Sequence, residues 1–199
     1  MNIEDIYGDL PEIETERLSL RKLTLDDLTD MHEYTSNNKV STYVTWDRHQ
    51  SLADTKGFIH FVLKQYTEKR IAPWGIVHKQ DRKLIGTIDF VKWETKHRSA
   101  ELGYAISENY WGRGLTTEAA KALLIFGFEQ MDLLRIQARC LAENIASESV
   151  MKKIGMQYEG TLRQAMLLKG KHRDIKMYSI LLNEYQERNK KETLAQTER

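Results

Sequence analysis

The chain has 199 residues, enough for one domain with its own core, and its 30 basic and 29 acidic residues leave a formal charge of +1. That balance argues against a dedicated nucleic-acid binder, and no run approaches the about 20 apolar residues needed to span a bilayer, so neither nucleic acid nor membrane is expected as a partner. One cysteine, Cys140, cannot close an internal disulfide, and the acidic start MNIEDIYGDL shows no apolar leader, so a reducing, cytoplasmic location is expected.

In chain order, ERLSLRKL alternates Leu18, Leu20 and Leu23 with charged residues and predicts a strand. Thr24 is placed to cap LDDLTDMHEYT, whose Leu25, Leu28, Met31 and His32 share one helical face. SLADTKGFIHFVLKQYTEK opens on Ser51 and Asp54, a near capping box, and carries Phe58, Ile59, Val62 and Leu63 as an apolar stripe. APWGIVHK and KLIGTIDFVKW flank the turn QDR and predict a hairpin. SAELGYAIS is a further strand that runs straight into YWGRGLTTEA. TEAAKALLIFGFEQM then reads as a helix and LRIQARCLA as a strand. SESVMKKI predicts a short helix that Gly155 can close, with Ser147 as its cap and Glu148 in its first turn. MQYEGTLRQAMLL and DIKMYSILLN finish as two strands around KGKH. Residues 1–186 are expected to form a single domain, followed by a polar tail over 187–199 that is a fraying helix end or disordered. The order β-α-α-β-β-β-α-β-α-β-β predicts an α/β fold. Its mixed sheet has a parallel pair around the glycine loop, hairpins elsewhere and helices on both faces.

The stretch GRGLTT follows a strand and opens a helix, where the first backbone N–H groups lack intrahelical acceptors and the helix dipole is positive. Glycines there let the backbone curl so that successive N–H groups converge on an anion, most often phosphate. The nucleotide-triphosphate loop is excluded by spacing and by the missing lysine, and the dinucleotide fingerprint by the missing third glycine. A plain strand-to-helix turn is the competing account. The next strand ends near Cys140 and Leu141 and is followed by Asn144 and Ser147. Two neighbouring strands therefore end in loops carrying amides, hydroxyls and a helix N-terminus, at the end of the sheet where ligands bind in α/β proteins.

The segment ELGYAISENYWGRGLTTEAAKALLIFGFEQMDLLRIQARCLAENIASESVMKKIGMQYEG resembles the GCN5-related N-acetyltransferases (GNAT), and within them the ribosomal-protein alanine and serine N-terminal acetyltransferases. The resemblance extends from about residue 14 to about residue 185 and covers element order as well as motifs. It implies a mixed, mostly antiparallel twisted sheet with a splayed parallel pair that holds acyl-CoA. The family's pyrophosphate loop, Q/R-x-x-G-x-G/A, falls on Trp111, Gly112, Arg113, Gly114, Leu115 and Thr116, with Thr117 next to it. Trp111 replaces the first Gln or Arg, and Thr116 stands where Gly or Ala is usual. The resemblance further implies acetyl-CoA as co-substrate with no metal. It also implies cofactor contacts from Asn144 and Ser147, and carbonyl polarisation by backbone N–H groups around Tyr104, Ala105 and Ile106.

An acetyltransferase of this kind must deprotonate an amine and reprotonate a thiolate. An α-amine, with a pKa of about 7.7–8.0, is partly neutral at cellular pH, whereas lysine at about 10.4 is almost wholly charged. Glu101, on the strand feeding the cofactor loop, is the candidate base, with an edge glutamate in an ion pair as the alternative. For the acid, Ser147 and Tyr158 compete, and Ser147 also serves as a plain helix cap in the competing account. Trp46 is a substrate-wall candidate against ordinary packing. Cys140 reads as a small buried hydrophobe rather than a nucleophile, and six scattered histidines suggest no metal site. The expected activity is direct acetyl transfer to a primary amine: the N-terminal α-amine of a ribosomal protein, or a small amine such as a polyamine or aminoglycoside. A non-catalytic acyl-CoA-binding or ribosome-assembly module is the rival of another class. The chain is a monomer or a homodimer on this reading.

Overall fold

Leu18 and Leu20 are fully buried while Ser19 and Arg21, which alternate with them, are not, and this two-residue period seats their strand in an eight-stranded sheet. The computed structural model describes residues 2–197. The N-terminal half comprises α1 (Ile3–Tyr7), β1 (Ile13–Glu14), β2 (Leu18–Arg21), α2 (Leu28–Thr35), α3 (Asn38–Ser41), α4 (Leu52–Thr67), β3 (Trp74–His78) and β4 (Lys83–Glu94). β5 (Ser99–Ile106), α5 (Leu115–Glu129), β6 (Arg135–Leu141), α6 (Ile145–Lys153), β7 (Gln157–Leu168), β8 (Lys171–Leu181) and α7 (Leu182–Thr197) follow. α7 runs through most of the segment expected as a polar tail. Residues 198–199 of that tail lie outside the described residues.

The strand order is β1-β2-β3-β4-β5-β6-β8-β7, and every neighbouring pair is antiparallel except β5–β6. That parallel pair is the one expected around the glycine loop, and it is short. Its register runs only from Ser99↔Arg135 to Leu102↔Ala138. Beyond it, β5 stays with β4 as far as Ile106, and β6 stays with β8 as far as Leu141. The two strands splay, and β5 from Gly103 onward has no neighbouring strand on that side.

Two apolar layers hold the sheet between helices. One gathers Leu123 and Phe126 of α5 with Trp74, Ile76, Ile88, Phe90 and Ile136 of the strands. The other gathers Met31 and Tyr34 of α2 and Ile59 and Val62 of α4 with Leu84. Each such side chain taken fully out of water contributes about 1.5–3 kcal/mol. At the start of α4 the capping box is complete: Asp54 N–H donates to Ser51 Oγ at 3.3 Å, and Ser51 N–H donates to Asp54 Oδ2 at 3.0 Å.

The C-terminal strands are tied in by two carboxylates. Glu148 of α6 accepts from Lys176 at 2.7 Å and from Tyr178 at 2.6 Å on β8, and pairs with Lys152 at 2.8 Å. Glu159 of β7 accepts from Arg135 of β6 and, at 2.7 Å, from Ser179 of β8. Lys152, then Lys176 and Tyr178, hold the Glu148 carboxyl down to about 2, and Arg135 does the same for Glu159. Both values lie below those of the unfolded chain. The stabilisation is therefore complete above the ordinary carboxylate range, near 4.5, and is lost as pH falls towards 2. Urea unfolding measured across that window should show stability falling with acid. The fall should be clearly shallower in a Glu148→Gln/Glu159→Gln double variant, and an unchanged slope would remove these two groups from the account.

Candidate active site

α5 begins where the backbone makes two left-handed excursions, at Gly112 (φ 72°) and Gly114 (φ 77°), conformations that residues with a side chain rarely adopt. The first turn closes with Glu118 N–H on the Gly114 carbonyl at 3.0 Å, leaving the N–H groups before it without intrahelical acceptors. The loop is braced from outside. Glu118 accepts from the Thr15 hydroxyl at 2.6 Å and from Arg17, whose guanidinium also donates to the Arg113 carbonyl at 3.0 Å.

A cavity of about 330 Å³ lies over this loop, lined by Tyr104, Ala105 and Ile106 of β5, by Trp111, Gly112, Gly114, Thr116 and Thr117, and by Asn144 and Ser147. The structure thus brings together ten of the residues expected to hold the cofactor. Two others are placed differently. The Leu115 side chain is buried in the core, and Arg113 stacks over the Tyr110 ring at 5.0 Å, so what they offer at the loop is backbone. The residues fit a CoA-type ligand: a glycine turn with free N–H groups for phosphate, leading into the unpaired edge of β5 in the splay.

A second cavity, of about 500 Å³, meets the first at Tyr104, Ala105, Asn144 and Ser147. Trp46 of the expected substrate wall lines it together with Phe58 and Phe61 of α4, while Thr87, Asp89, Glu101 and Gly103 come from the sheet. Glu101 is buried, and both of its carboxylate oxygens are engaged. Arg139 sits 2.8 Å from Oε1, and the Gln137 amide donates to Oε2 at 3.2 Å. Asp89, which the sequence reading did not single out, has no hydrogen bond or ion pair among the described residues. Burial alone pushes its carboxyl up to about 7.

At the junction of the cavities the Tyr104 hydroxyl lies 3.0 Å from Ser147 Oγ. Ser147 is not the cap of α6, contrary to expectation. Asn144 is the cap, its side chain accepting from Ser147 N–H at 3.1 Å, because the helix starts at Ile145, three residues before the start that a Ser147 cap implies. The serine hydroxyl is thereby left for Tyr104, whose phenol burial raises well above its usual value. Tyr158 lines neither cavity: it is half-exposed and its hydroxyl pairs with Thr161 at 2.7 Å. Cys140 lines the second cavity, but burial pushes its thiol up to about 11, which keeps it protonated and poorly nucleophilic at neutral pH. Among the described residues no group of three or more His, Cys, Asp or Glu could hold a metal ion, and no helix is long and apolar enough to cross a membrane.

Residues 17–157 match the family described as the Acetyltransferase (GNAT) domain, and the chain belongs to that family of N-acetyltransferases. It is 36% identical over 171 residues to the Uncharacterized N-acetyltransferase YoaA of Bacillus subtilis (strain 168), covering 86% of this chain and 97% of that one. A crystal structure of a GNAT-family acetyltransferase from Bacillus anthracis superimposes with a TM-score of 0.78 at 32% identity, over 87% of this chain and 99% of that one. Among more distant relatives, the Spermidine N(1)-acetyltransferase and the Ribosomal-protein-serine acetyltransferase of Escherichia coli (strain K12) are each 26% identical. The first match covers 84% of this chain and 88% of that one, and the second 85% and 95%.

Proposed function

We propose that the protein transfers the acetyl group of acetyl-CoA directly to the N-terminal α-amine of a protein, and, following its similarity to the ribosomal-protein-serine acetyltransferase, of a ribosomal one. The observation that carries this reading is the charge of the second cavity. Its charged lining consists of Asp89, Glu101 and Arg139, and Arg139 is paired with Glu101. One carboxyl is left over. That suits an acceptor with one ammonium on an uncharged body, set against the aromatic wall of Trp46, Phe58 and Phe61, better than a polyamine with several.

Acetyl-CoA supplies the activated carbonyl. In this reading Gly112, Gly114, Thr116 and Thr117 cradle its pyrophosphate, and Asn144 and the free edge of β5 from Gly103 to Ile106 hold its arm. Backbone N–H groups of that edge polarise the carbonyl, and Ser147 returns a proton to sulfur. Glu101 fixes Arg139 on the cavity wall.

CoA thiol release from acetyl-CoA tests the proposal against two panels, short peptides with differing N-termini and a set of polyamines and aminoglycosides. Release with Ser- or Ala-starting peptides, abolished when their α-amine is blocked, is the expected result. Release with the small amines alone would move the function to small-amine acetylation.

A further inference from the structure

The face of β4 that looks into the second cavity carries Thr87, Asp89 and Val91. In the sheet register Asp89 lies opposite Gly103 of β5, one residue before Tyr104 at the junction with the cofactor cavity. A side chain at position 103 would clash with Val91 and cover the carboxyl: a Cβ built there would lie 2.6 Å from a Val91 methyl and in contact with Asp89 Oδ1 at 3.4 Å. Glycine at this position leaves the space in front of the carboxyl open. The other carboxylate on the wall, Glu101, already serves Arg139 and Gln137. Asp89 serves no donor among the described residues.

We propose that Asp89 receives the acceptor's ammonium and takes its proton, so that the amine reaches the junction of the two cavities neutral. This assignment rests on the proposed activity and adds the proton acceptor to it. The balance is simple. One N–H bond of the ammonium breaks and one O–H bond forms on Asp89, leaving a neutral amine with its lone pair free. That pair forms the C–N bond as the C–S bond breaks. The second amine proton passes to the leaving sulfur by way of Ser147, and Asp89 afterwards returns its proton to solvent.

The environment suits the task. Nothing but burial raises the Asp89 carboxyl, so it changes charge in the pH range where an α-amine also does. The ionisable groups around it from packed elements are Tyr66 of α4, Tyr7 of α1, Tyr43 after α3, Glu101 and Tyr104 of β5, and Arg139 and Cys140 of β6. Burial holds Tyr7, Tyr66, Tyr104 and the Cys140 thiol neutral, and Arg139 is taken by Glu101. Bringing a cation beside Asp89 favours its charged form, and handing over one proton leaves two neutral partners in a poorly solvated place.

The test compares Asp89→Asn and Glu101→Gln with the parent protein. Acetylation of a Ser-starting tripeptide amide and of spermidine would be followed between about pH 5.5 and 9, with acetyl-CoA binding measured in parallel. Asp89→Asn should lower kcat/KM by about 100-fold or more, keep acetyl-CoA affinity within about twofold and abolish the rise of kcat/KM with pH near neutrality, leaving only the rise that deprotonation of the free α-amine imposes at about 7.7–8.0. Glu101→Gln should keep the rise near neutrality. The proposal is overturned if Asp89→Asn retains both the rise and near-parent activity, or if the rise disappears in Glu101→Gln alone.

A second readout needs no turnover and no variant, so it separates this proposal from the proposed function. In the acetyl-CoA complex of the parent protein, the Asp89 carboxyl is titrated by NMR with and without n-butylamine. Butylammonium should lower its midpoint. An unmoved midpoint would overturn the role of Asp89 even if peptides are acetylated, and a lowered midpoint in a protein silent on every acceptor would count against the proposed substrate only.

Discussion

Gly86→Ala is expected to lower stability by about 2 kcal/mol and to cut kcat/KM by roughly 100-fold. Gly86 sits in β4, paired with Ile106 at the end of β5. A Cβ there would collide with the Ala105 carbonyl oxygen and lie 2.9 Å from the Ile106 Cα. Both obstacles are backbone, so no rotamer change can relieve them, and β5 must move. The part that moves is the free edge proposed to hold the acetyl arm, where a displacement of about 1 Å costs on the order of 100-fold in rate. Gly57→Ala is the control. It lies in the interior of α4 with nothing within 4 Å of the added methyl, and it should stabilise the protein by about 0.5–1 kcal/mol. Chemical denaturation and steady-state kinetics on both variants decide the matter. A Gly86→Ala protein with parent kinetics would show that β5 yields without disturbing the site.

Ser147→Ala is the second large effect: kcat should fall by about 100-fold while acetyl-CoA binding is retained. Its hydroxyl is 3.0 Å from the Tyr104 phenol, itself buried and kept protonated, so the two form a short donor chain at the junction of the cavities. Tyr104→Phe should lower kcat as well, and the double variant should be little worse than Ser147→Ala alone, because groups acting as one unit are not additive. Helix capping supplies an internal check. Asn144 caps α6, so Ser147→Ala leaves that cap in place, whereas Asn144→Ala should cost about 1 kcal/mol of stability. Full kcat in Ser147→Ala would assign the returning proton to another donor.

Much of this site could be read from local pattern. The glycines before α5 announce a backbone that ordinary residues cannot follow, and the strand–helix–strand order around them requires a parallel pair. Other features depend on contacts that no window of sequence contains. Asp89 stands between Ile88 and Phe90 in a run that alternates like a strand with one solvated face. What buries that face is α4 and the loop holding Trp46, some 20 to 45 residues earlier in the chain. Glu101 was visible as an acid on the right strand, but its two partners come from β6 across the parallel register. Ser147 was displaced as a cap by a single-turn shift, since Asn and Ser are both good caps and only the start of the helix decides between them. Tyr104 was considered for its backbone, and its phenol gained a role only when α6 brought Ser147 against it.

The splay between β5 and β6 also divides the protein's freedom to change. Donors on the free edge of β5 are main-chain groups, present whatever side chains occupy those positions, so what that edge offers a bound acyl arm travels with the topology. The opposite wall consists of side chains from α4, the Trp46 loop and β4, none of which that edge needs for its own hydrogen bonds. A gene duplicate could therefore be retuned to a new acceptor through a handful of wall substitutions while its acetyl-donor half stayed intact.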